Sequence, residues 1–120
     1  MKNNIQECLD SLMSITGAVG SCIVDYESGM SLGAAGGGVD LDLAAAGNSE
    51  VVKAKMNTMK SLGISGNIDD ILITLDTQFH IIRPCAKHAG LFIYLVLDKA
   101  KANLALARRN VLSVENELEV

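Results

Sequence analysis

Apolar residues in the first third of the chain change from a helical to a strand-like spacing. A helix is predicted over residues 4–15, because apolar residues recur at steps of three, one and three, at Ile5, Cys8, Leu9 and Leu12. Gly17 ends this helix, and the β-rich stretch Ala18–Asp25 is predicted as a strand. A polar turn containing Gly29 separates it from a second predicted strand over residues 30–35. These two strands are expected to form a hairpin.

The long helix predicted over residues 40–62 has a broader apolar surface than one buried stripe requires. Asp40 is expected to cap its start, after a run of glycines. At 100° per residue, one apolar arc consists of Leu41, Ala45, Val52, Met56 and Met59. A second group widens this arc and consists of Ala44, Gly47, Val51, Ala54 and Leu62. The excess predicts a second surface to cover, such as another subunit, although alanine and methionine could also simply broaden an ordinary core face.

Further strands are predicted over residues 70–75, 78–83 and 91–97. A two-residue turn, the length of a hairpin loop, separates the first pair. The connection over residues 84–90 is longer and includes Lys87, so it is expected to be exposed and mobile. The run over residues 91–97 has no polar alternation, which is typical of a strand buried on both faces. It is therefore predicted at the centre of the sheet.

A last helix is predicted directly after Asp98, which would be its cap. Its apolar residues are Ala100, Leu104, Ala107, Val111, Val114 and Leu118. The element order is thus helix, two strands, helix, three strands, helix. An α/β fold of the α+β type, with an open sheet and helices on both faces, buries every one of these apolar stripes. No linker or repeat divides the chain, so residues 1–120 are expected to form one domain.

Charge and hydropathy narrow the classes of partner. The net charge is −4 at pH 7 and the basic residues are scattered, so nucleic acid is not expected as a partner. The longest apolar run is far shorter than the ~20 residues of a membrane-spanning helix, so membrane insertion is not expected. Residues 1–10 lack the basic start and apolar centre of a secretory signal, which favours a cytoplasmic location.

The residues that could carry chemistry match no catalytic, cofactor or metal motif. Cys8, Cys22 and Cys85 fit neither a disulfide framework nor a zinc pair, and are interpreted as reduced thiols. The glycines at 36–38 lack the Lys-Ser/Thr ending of a P-loop. A Cys85/His88 pair could support nucleophilic chemistry, and that alternative predicts a thiol of low pKa. The sequence therefore predicts no catalytic residue, no cofactor and no metal site.

Acidic residues cluster at two places without the spacing of a calcium-binding loop. They are the pair Asp69 and Asp70 and the C-terminal Glu115, Glu117 and Glu119. Both groups are interpreted as solvated surface. Glutamates in the last helical turn oppose the helix dipole, so the chain end is expected to fray.

Two blocks in the second half of the chain resemble the roadblock (dynein light chain) family. They are DILITLDTQFHIIRP at residues 70–84 and GLFIYLVLDKAKANLALAR at residues 90–108. The stretch VDYESGM at residues 24–30 is similar to bacterial stand-alone members. The resemblance implies a five-stranded antiparallel sheet with the first and last helices on one face and the long middle helix on the other. It also implies a non-catalytic homodimer, in which the middle helices pack together and the third strands pair edge to edge.

The same resemblance implies a small Ras-like GTPase as partner, or a scaffolding role in a complex that contains one. The residues predicted at the dimer interface are Leu41, Ala45, Val52, Met56, Met59, Ile71 and Ile73. The residues predicted to contact the partner form the polar flank of the long helix and are Glu50, Lys53, Asn57 and Lys60. A small-ligand-binding sensor is the alternative function, and a pocket lined by Cys22 or by methionines would favour it.

Overall fold

The regular elements follow one another in the order that the sequence predicted. In the computed structural model they are α1 (Ile5–Met13), β1 (Ala18–Asp25), β2 (Met30–Gly36), α2 (Leu41–Ser61), β3 (Ile71–Thr74), β4 (Gln78–Pro84), β5 (Leu91–Asp98) and α3 (Leu104–Glu117). The structure describes residues 3–120. Met1 and Lys2, which belong to the predicted domain 1–120 and to the N-terminal segment without a secretory pattern, lie outside the described residues. Within residues 3–120, no helix has both the length and the apolar composition needed to cross a membrane.

The strands form an antiparallel sheet in the order β2-β1-β5-β4-β3. β5 lies at its centre, as its unbroken apolar run predicted, and residues 92–97 are all buried. Ile93 and Leu95 belong to the apolar cluster beneath α1 and α3, whereas Phe92 and Tyr94 belong to the cluster beneath α2. The predicted fold, with two helices on one face of the sheet and one long helix on the other, is confirmed.

Glycines set how closely α1 and the start of α2 approach the sheet. A Cβ atom at Gly33 on β2 would lie 2.8 Å from Ile5 Cγ2, so α1 packs directly onto the backbone of β2. Gly36 has a positive φ of 77°, and a Cβ atom there would lie 2.4 Å from the Val19 carbonyl oxygen. The glycine run thus returns the chain against β1. It leads to the predicted cap Asp40, whose carboxylate accepts a backbone hydrogen bond from the first turn of α2 at 3.1 Å.

The last helix begins later than predicted. Asp98 ends β5 instead of capping a helix: its backbone N–H donates to Gly17 O at 2.7 Å, and its carboxylate accepts from Ala100 N at 3.0 Å. A turn follows, and α3 starts after Asn103, whose side chain accepts a hydrogen bond from Leu106 N at 3.1 Å. Asp98 belongs to the strand because its backbone is paired with β4. That pairing is tertiary information, which local capping preferences do not contain.

The chain end that was expected to fray is held by Asn4. Asn4 Nδ2 donates to Glu117 O at 2.7 Å, and Asn4 Oδ1 accepts from Glu119 N at 2.7 Å. The backbone N–H of Asn4 also donates to Glu119 O at 3.1 Å. Because its side chain is used in these bonds, Asn4 does not cap α1. These contacts with the other end of the chain oppose the fraying that the unfavourable charges predict.

Candidate protein interaction surface

The inner side of α2 packs on the sheet and contains most of the residues predicted at a dimer interface. Ala45 and Val52 are fully buried in the cluster that α2 shares with the sheet. Leu41 and Met56 are half-buried against the same cluster, and Met59 is half-buried further along the helix. Ala45 and Val52 are therefore core residues and not interface residues, whereas Leu41, Met56 and Met59 keep some exposed surface and their place at an interface stays a prediction. α2 has two apolar sides, and periodicity alone does not tell which one faces inward.

The outer side of α2 exposes a second apolar line. We call Leu43, Gly47, Val51, Ala54 and Leu62 the outer stripe. Leu43 is 69% exposed, Val51 40% and Leu62 65%, and the two small residues are exposed as well. Four of the five were recognised in the sequence as a widening of the apolar arc. Leu43 was missed, because it lies furthest around the helix from the buried arc.

The α2 face of the sheet is covered unevenly. α2 contacts mainly β1 and β2, at one end of the strand order. On β3 and β4 the same face presents Ile71, Ile73 and His80, which are only half-buried. Both isoleucines pack against the α2-side cluster, so they contribute to the core and still present surface. An incompletely covered part of the sheet face therefore lies beside α2.

The two edges of the sheet differ in regularity. In β2 the register with β1 slips by one residue, so that Leu32 is an extra residue between Ser31 and Gly33. Ser31 Oγ also donates to Gly33 O at 3.0 Å. Such a bulge twists an edge strand and hinders further pairing. β3 pairs with β4 in unbroken register and contains neither proline nor a charged residue. Of the two edges, β3 is the better template for another strand.

An ion pair fixes the start of β3. Arg108 of α3 forms a two-pronged contact with Asp70, from Nε to Oδ2 at 2.8 Å and from Nη2 to Oδ1 at 2.9 Å. The hydrogen bonds and charge of Asp70 raise the pKa of Arg108. The Asp70 side chain is only 10% exposed, so its interpretation as a solvated residue is corrected. The contact attaches the start of the edge strand β3 to α3.

A hydrogen-bonded histidine lies on the half-covered part of the sheet. Tyr94 Oη lies 2.9 Å from His80 Nδ1, and Gln78 Oε1 lies 2.8 Å from His80 Nε2. The Tyr94 and His80 rings meet edge to face at 5.5 Å. Burial lowers the pKa of His80 and raises the pKa of Tyr94, the latter partly offset by a hydrogen bond with Asn48.

The predicted partner-binding residues lie along one flank of α2. Glu50 and Lys53 form an i,i+3 ion pair at 3.2 Å between carboxylate and ammonium. Asn57 and Lys60 are exposed on the same flank. An exposed pair of this kind contributes little to stability. These side chains lie on the surface of α2, and their role in recognition remains a proposal.

A half-open cleft of about 410 Å³ lies between the C-terminal half of α2, the loop that follows it and the end of β4. Met56, Met59 and Tyr26 line its apolar part. Lys60 and Arg83 provide polar groups on its wall. Cys22, whose presence in a pocket would also have favoured the sensor alternative, does not line the cleft. The lining of the cleft thus contains methionines but not Cys22.

Glu115, interpreted from the sequence as solvated, is a buried anchor. It is 2% exposed, and its carboxylate accepts hydrogen bonds from Arg83 Nε and from Ala86 N, the latter at 2.9 Å. Lys87 Nζ adds a bond to Asn116 O at 3.2 Å. The β4–β5 connection is therefore attached to α3, while Ala86, Lys87 and Ala89 are exposed as expected. A single glutamate in a polar helix end contains no local signal of this role.

The Cys85 and His88 side chains are directed to structural contacts. His88 Nε2 lies 2.9 Å from Leu118 O. Burial, followed by the charge of Glu115, raises the pKa of the Cys85 thiol to about 12. A thiol with this pKa is not an activated nucleophile, so the alternative that required a low pKa is not supported. In the described part of the chain, no group of three or more His, Cys, Asp and Glu side chains could hold a metal ion.

Comparison with known proteins identifies the fold. No family model and no curated protein matches the sequence. Among solved structures, Myxococcus xanthus MglB superposes with a TM-score of 0.83 at 17% identity, over 95% of this chain and 90% of that one. A Roadblock/LC7 domain from Streptomyces avermitilis gives 0.80 at 12% identity, over 92% and 91% of the two chains. The gliding protein MglB from Thermus thermophilus gives 0.72 at 18% identity, over 95% and 90%. The resemblance seen in the sequence is confirmed at the level of the fold, and the chain has the Roadblock/LC7 fold.

Proposed function

We propose that this chain is a non-catalytic homodimeric interaction module that binds a small Ras-like GTPase, or scaffolds a complex that contains one. The sequence resemblance of residues 70–84 and 90–108 and the Roadblock/LC7 fold support this class of function. The observation that carries the proposal is the outer stripe. It is an exposed apolar line on a helix whose inner side already fills the core, so it offers surface that a second protein would cover.

In the proposed dimer, the outer stripes of two copies pack together above the half-covered parts of β3 and β4. A twofold arrangement lets each copy cover the same region of the other. Gly47 and Ala54 allow close approach of the two helices, while Leu43 and Val51 provide the apolar contact. The arrangement removes exposed apolar area from both copies at once, which is the main driving force for association.

The β3 strands complete this interface in the proposal. Their regular, uncharged edges would pair with each other and extend one sheet through both copies. Ile71 and Ile73, predicted at the interface, would then be covered from above by the paired helices. The bulged β2 strands would form the outer edges of the joined sheet, where further pairing is hindered.

The proposed GTPase contact is the polar flank of α2. Glu50, Lys53, Asn57 and Lys60 lie beside the outer stripe rather than on it, so they would stay accessible after dimerisation. A helix flank that carries both acidic and basic groups suits a specific but reversible contact. The partner's identity as a small Ras-like GTPase comes from the family resemblance.

Light scattering tests the dimer. Wild-type protein at micromolar concentration should have twice the chain mass, and Val51→Glu should be a folded monomer, because a carboxylate would then face its own symmetry mate. Leu106→Glu on α3 is the matched control, since Leu106 is similarly exposed, at 47%, and lies outside the proposed interface. Loss of the dimer in both variants, or a wild-type monomer, would contradict the proposed assembly.

Pull-down with a panel of small Ras-like GTPases, each loaded with GDP or with a GTP analogue, tests the partner. Lys53→Glu combined with Lys60→Glu should abolish capture without changing the dimer mass. The control is Lys101→Glu, an exposed lysine in the turn before α3. If the wild-type dimer captures no GTPase, the GTPase part of the proposal is contradicted, whereas the homodimer part is unaffected.

A small-ligand sensor is the second candidate, favoured by the cleft of about 410 Å³. Its volume lies within the ~300–1,000 Å³ range of small-molecule sites. A thermal-shift screen of metabolites, repeated with Met59→Glu, would identify such a role. Stabilisation by one compound that Met59→Glu abolishes would favour the sensor, and an absence of any hit would leave the GTPase module alone.

A further inference from the structure

We propose that protonation of His80 releases the dimer, so that the module is paired at neutral pH and separates in mild acid. This inference rests on the dimer proposed above. It concerns a property of that interface which neither the fold nor the family resemblance implies. The structural basis is the position of His80 on the half-covered part of the sheet, together with the hydrogen bonds of its ring.

His80 lies where the second copy would cover the sheet. In the register it is flanked by Ile73 of β3 and Val96 of β5. The ring is only half-buried in the single chain, because α2 lies mainly over β1 and β2. Covering this region with the outer stripe of a partner would surround the ring with apolar side chains. A charge in such surroundings is costly unless it has a counter-ion.

Both ring nitrogens already have partners that suit the neutral form. Gln78 Oε1 accepts the proton of Nε2 at 2.8 Å, and Nδ1 accepts from the Tyr94 hydroxyl at 2.9 Å. A second proton on Nδ1 would force the hydroxyl to give up its role as donor to the ring. Protonation therefore adds a charge, and the Tyr94 hydroxyl then accepts from Nδ1 while its own hydrogen needs another acceptor.

Within residues 3–120, no carboxylate forms a hydrogen bond or an ion pair with the His80 ring. Desolvation is the single cause of the lowered pKa of His80, and no acidic group contributes to it. Asp98, opposite Gln78 in the register, accepts a hydrogen bond from Ala100 N. The remaining neighbours on β3, β4 and β5 are uncharged, namely Ile71, Ile73, Ile82, Tyr94 and Val96.

The charged groups that a partner's α2 would bring do not supply a free anion. Glu50 is paired with Lys53 at 3.2 Å, and Lys55 is exposed on the helix. A lysine near His80 would disfavour its protonation further. The one acidic side chain of this central region of α2 is already engaged with a cation.

The sign of the effect follows from linkage. Covering His80 disfavours its protonated form, so the pKa is lower in the dimer than in the free chain, and acid favours the free chain. The ordinary histidine pKa is 6.5 and burial already lowers it here, so the effect falls below that pH. Protonation of His80 in each copy raises the dissociation constant of the dimer by up to tenfold per pH unit. The dissociation constant should therefore rise as the pH falls below 6.5, by up to ~100-fold per pH unit at the steepest point.

Sedimentation equilibrium between pH 8 and pH 5 measures this dependence, with circular dichroism to confirm that the chain stays folded. The sequence has two histidines, which gives a matched pair of variants. His80→Gln should make the dissociation constant nearly independent of pH, whereas His88→Gln should keep the wild-type dependence. A wild-type dimer with a constant dissociation constant from pH 8 to pH 5 would overturn the inference, as would unchanged dependence in His80→Gln.

A second measurement tests the inference even if His80→Gln folds poorly. The His80 ring titration, followed by NMR, should show a higher pKa in the monomeric Val51→Glu variant than in the wild-type dimer. Equal pKa values would contradict the inference. Failure of the proposed dimer itself is separate, because it would appear as a wild-type monomer at pH 8, before any acid is added.

Discussion

Val51 and Val52 are adjacent in the chain and lie on two different sides of α2. Val52 is fully buried beneath the helix, whereas Val51 is 40% exposed on the outer stripe. The 100° step of the helix places one valine against the sheet and the next in solvent. The helix thus has one apolar side for the core and another that is open to a partner.

Truncating these two valines should have different consequences for the single chain. Val52→Ala should lower the free energy of unfolding by roughly 2–3 kcal/mol, because it leaves a cavity in the core. Val51→Ala should change it by about 0.5 kcal/mol or less, as exposed sites usually do. Urea denaturation at a concentration where light scattering shows monomer measures both. Equal losses would contradict the assignment of the two sides of α2.

Glu115→Gln should be strongly destabilising, by roughly 2–4 kcal/mol, because it removes the charge that compensates the partly buried Arg83 and weakens the bond to Ala86 N. Glu117→Gln is the control two residues later, since its side chain is exposed. It should change stability by about 0.5 kcal/mol or less. Thermal and urea denaturation of both variants test this. A loss of similar size in the two variants would show that helix charge, not the buried contact, is responsible.

The cysteines should react slowly with thiol reagents in the native protein. Burial raises the pKa of all three thiols, for Cys22 and Cys85 to about 12, so almost no thiolate exists at pH 8. Reaction with a chromogenic disulfide should be limited by unfolding and should become fast in guanidinium chloride. Rapid native labelling of Cys85 would restore the nucleophile alternative.

Two glycines should respond in opposite directions to alanine. Gly33→Ala should destabilise the fold by roughly 1–3 kcal/mol, because its Cβ would lie 2.8 Å from Ile5 Cγ2 and α1 would have to shift. Gly47→Ala meets open space within α2 and should stabilise the monomer by up to about 1 kcal/mol. Denaturation in the monomeric Val51→Glu background separates this effect from dimer formation. Stabilisation by Gly33→Ala would show that α1 does not pack on β2 as described.

The positions of the strands and the centre of the sheet could be predicted from the sequence. The apolar run of β5 indicated burial on both faces, and the turn between β3 and β4 indicated a hairpin. These features depend on nearby residues and on the spacing of apolar residues, and both can be read directly from the sequence. The broad apolar surface of α2 was equally visible, and it correctly indicated two apolar sides.

What the sequence determined by itself is the order of the elements, their period and the excess of apolar surface on α2. Only the tertiary structure decided which side of α2 faces the sheet, because both sides are apolar and the helix can be rotated until one fits. The structure also decided that Glu115 is buried against Arg83 and that Asn4 holds the chain end. Those contacts join residues far apart in the chain, and their energy comes from desolvated partners that no local pattern describes.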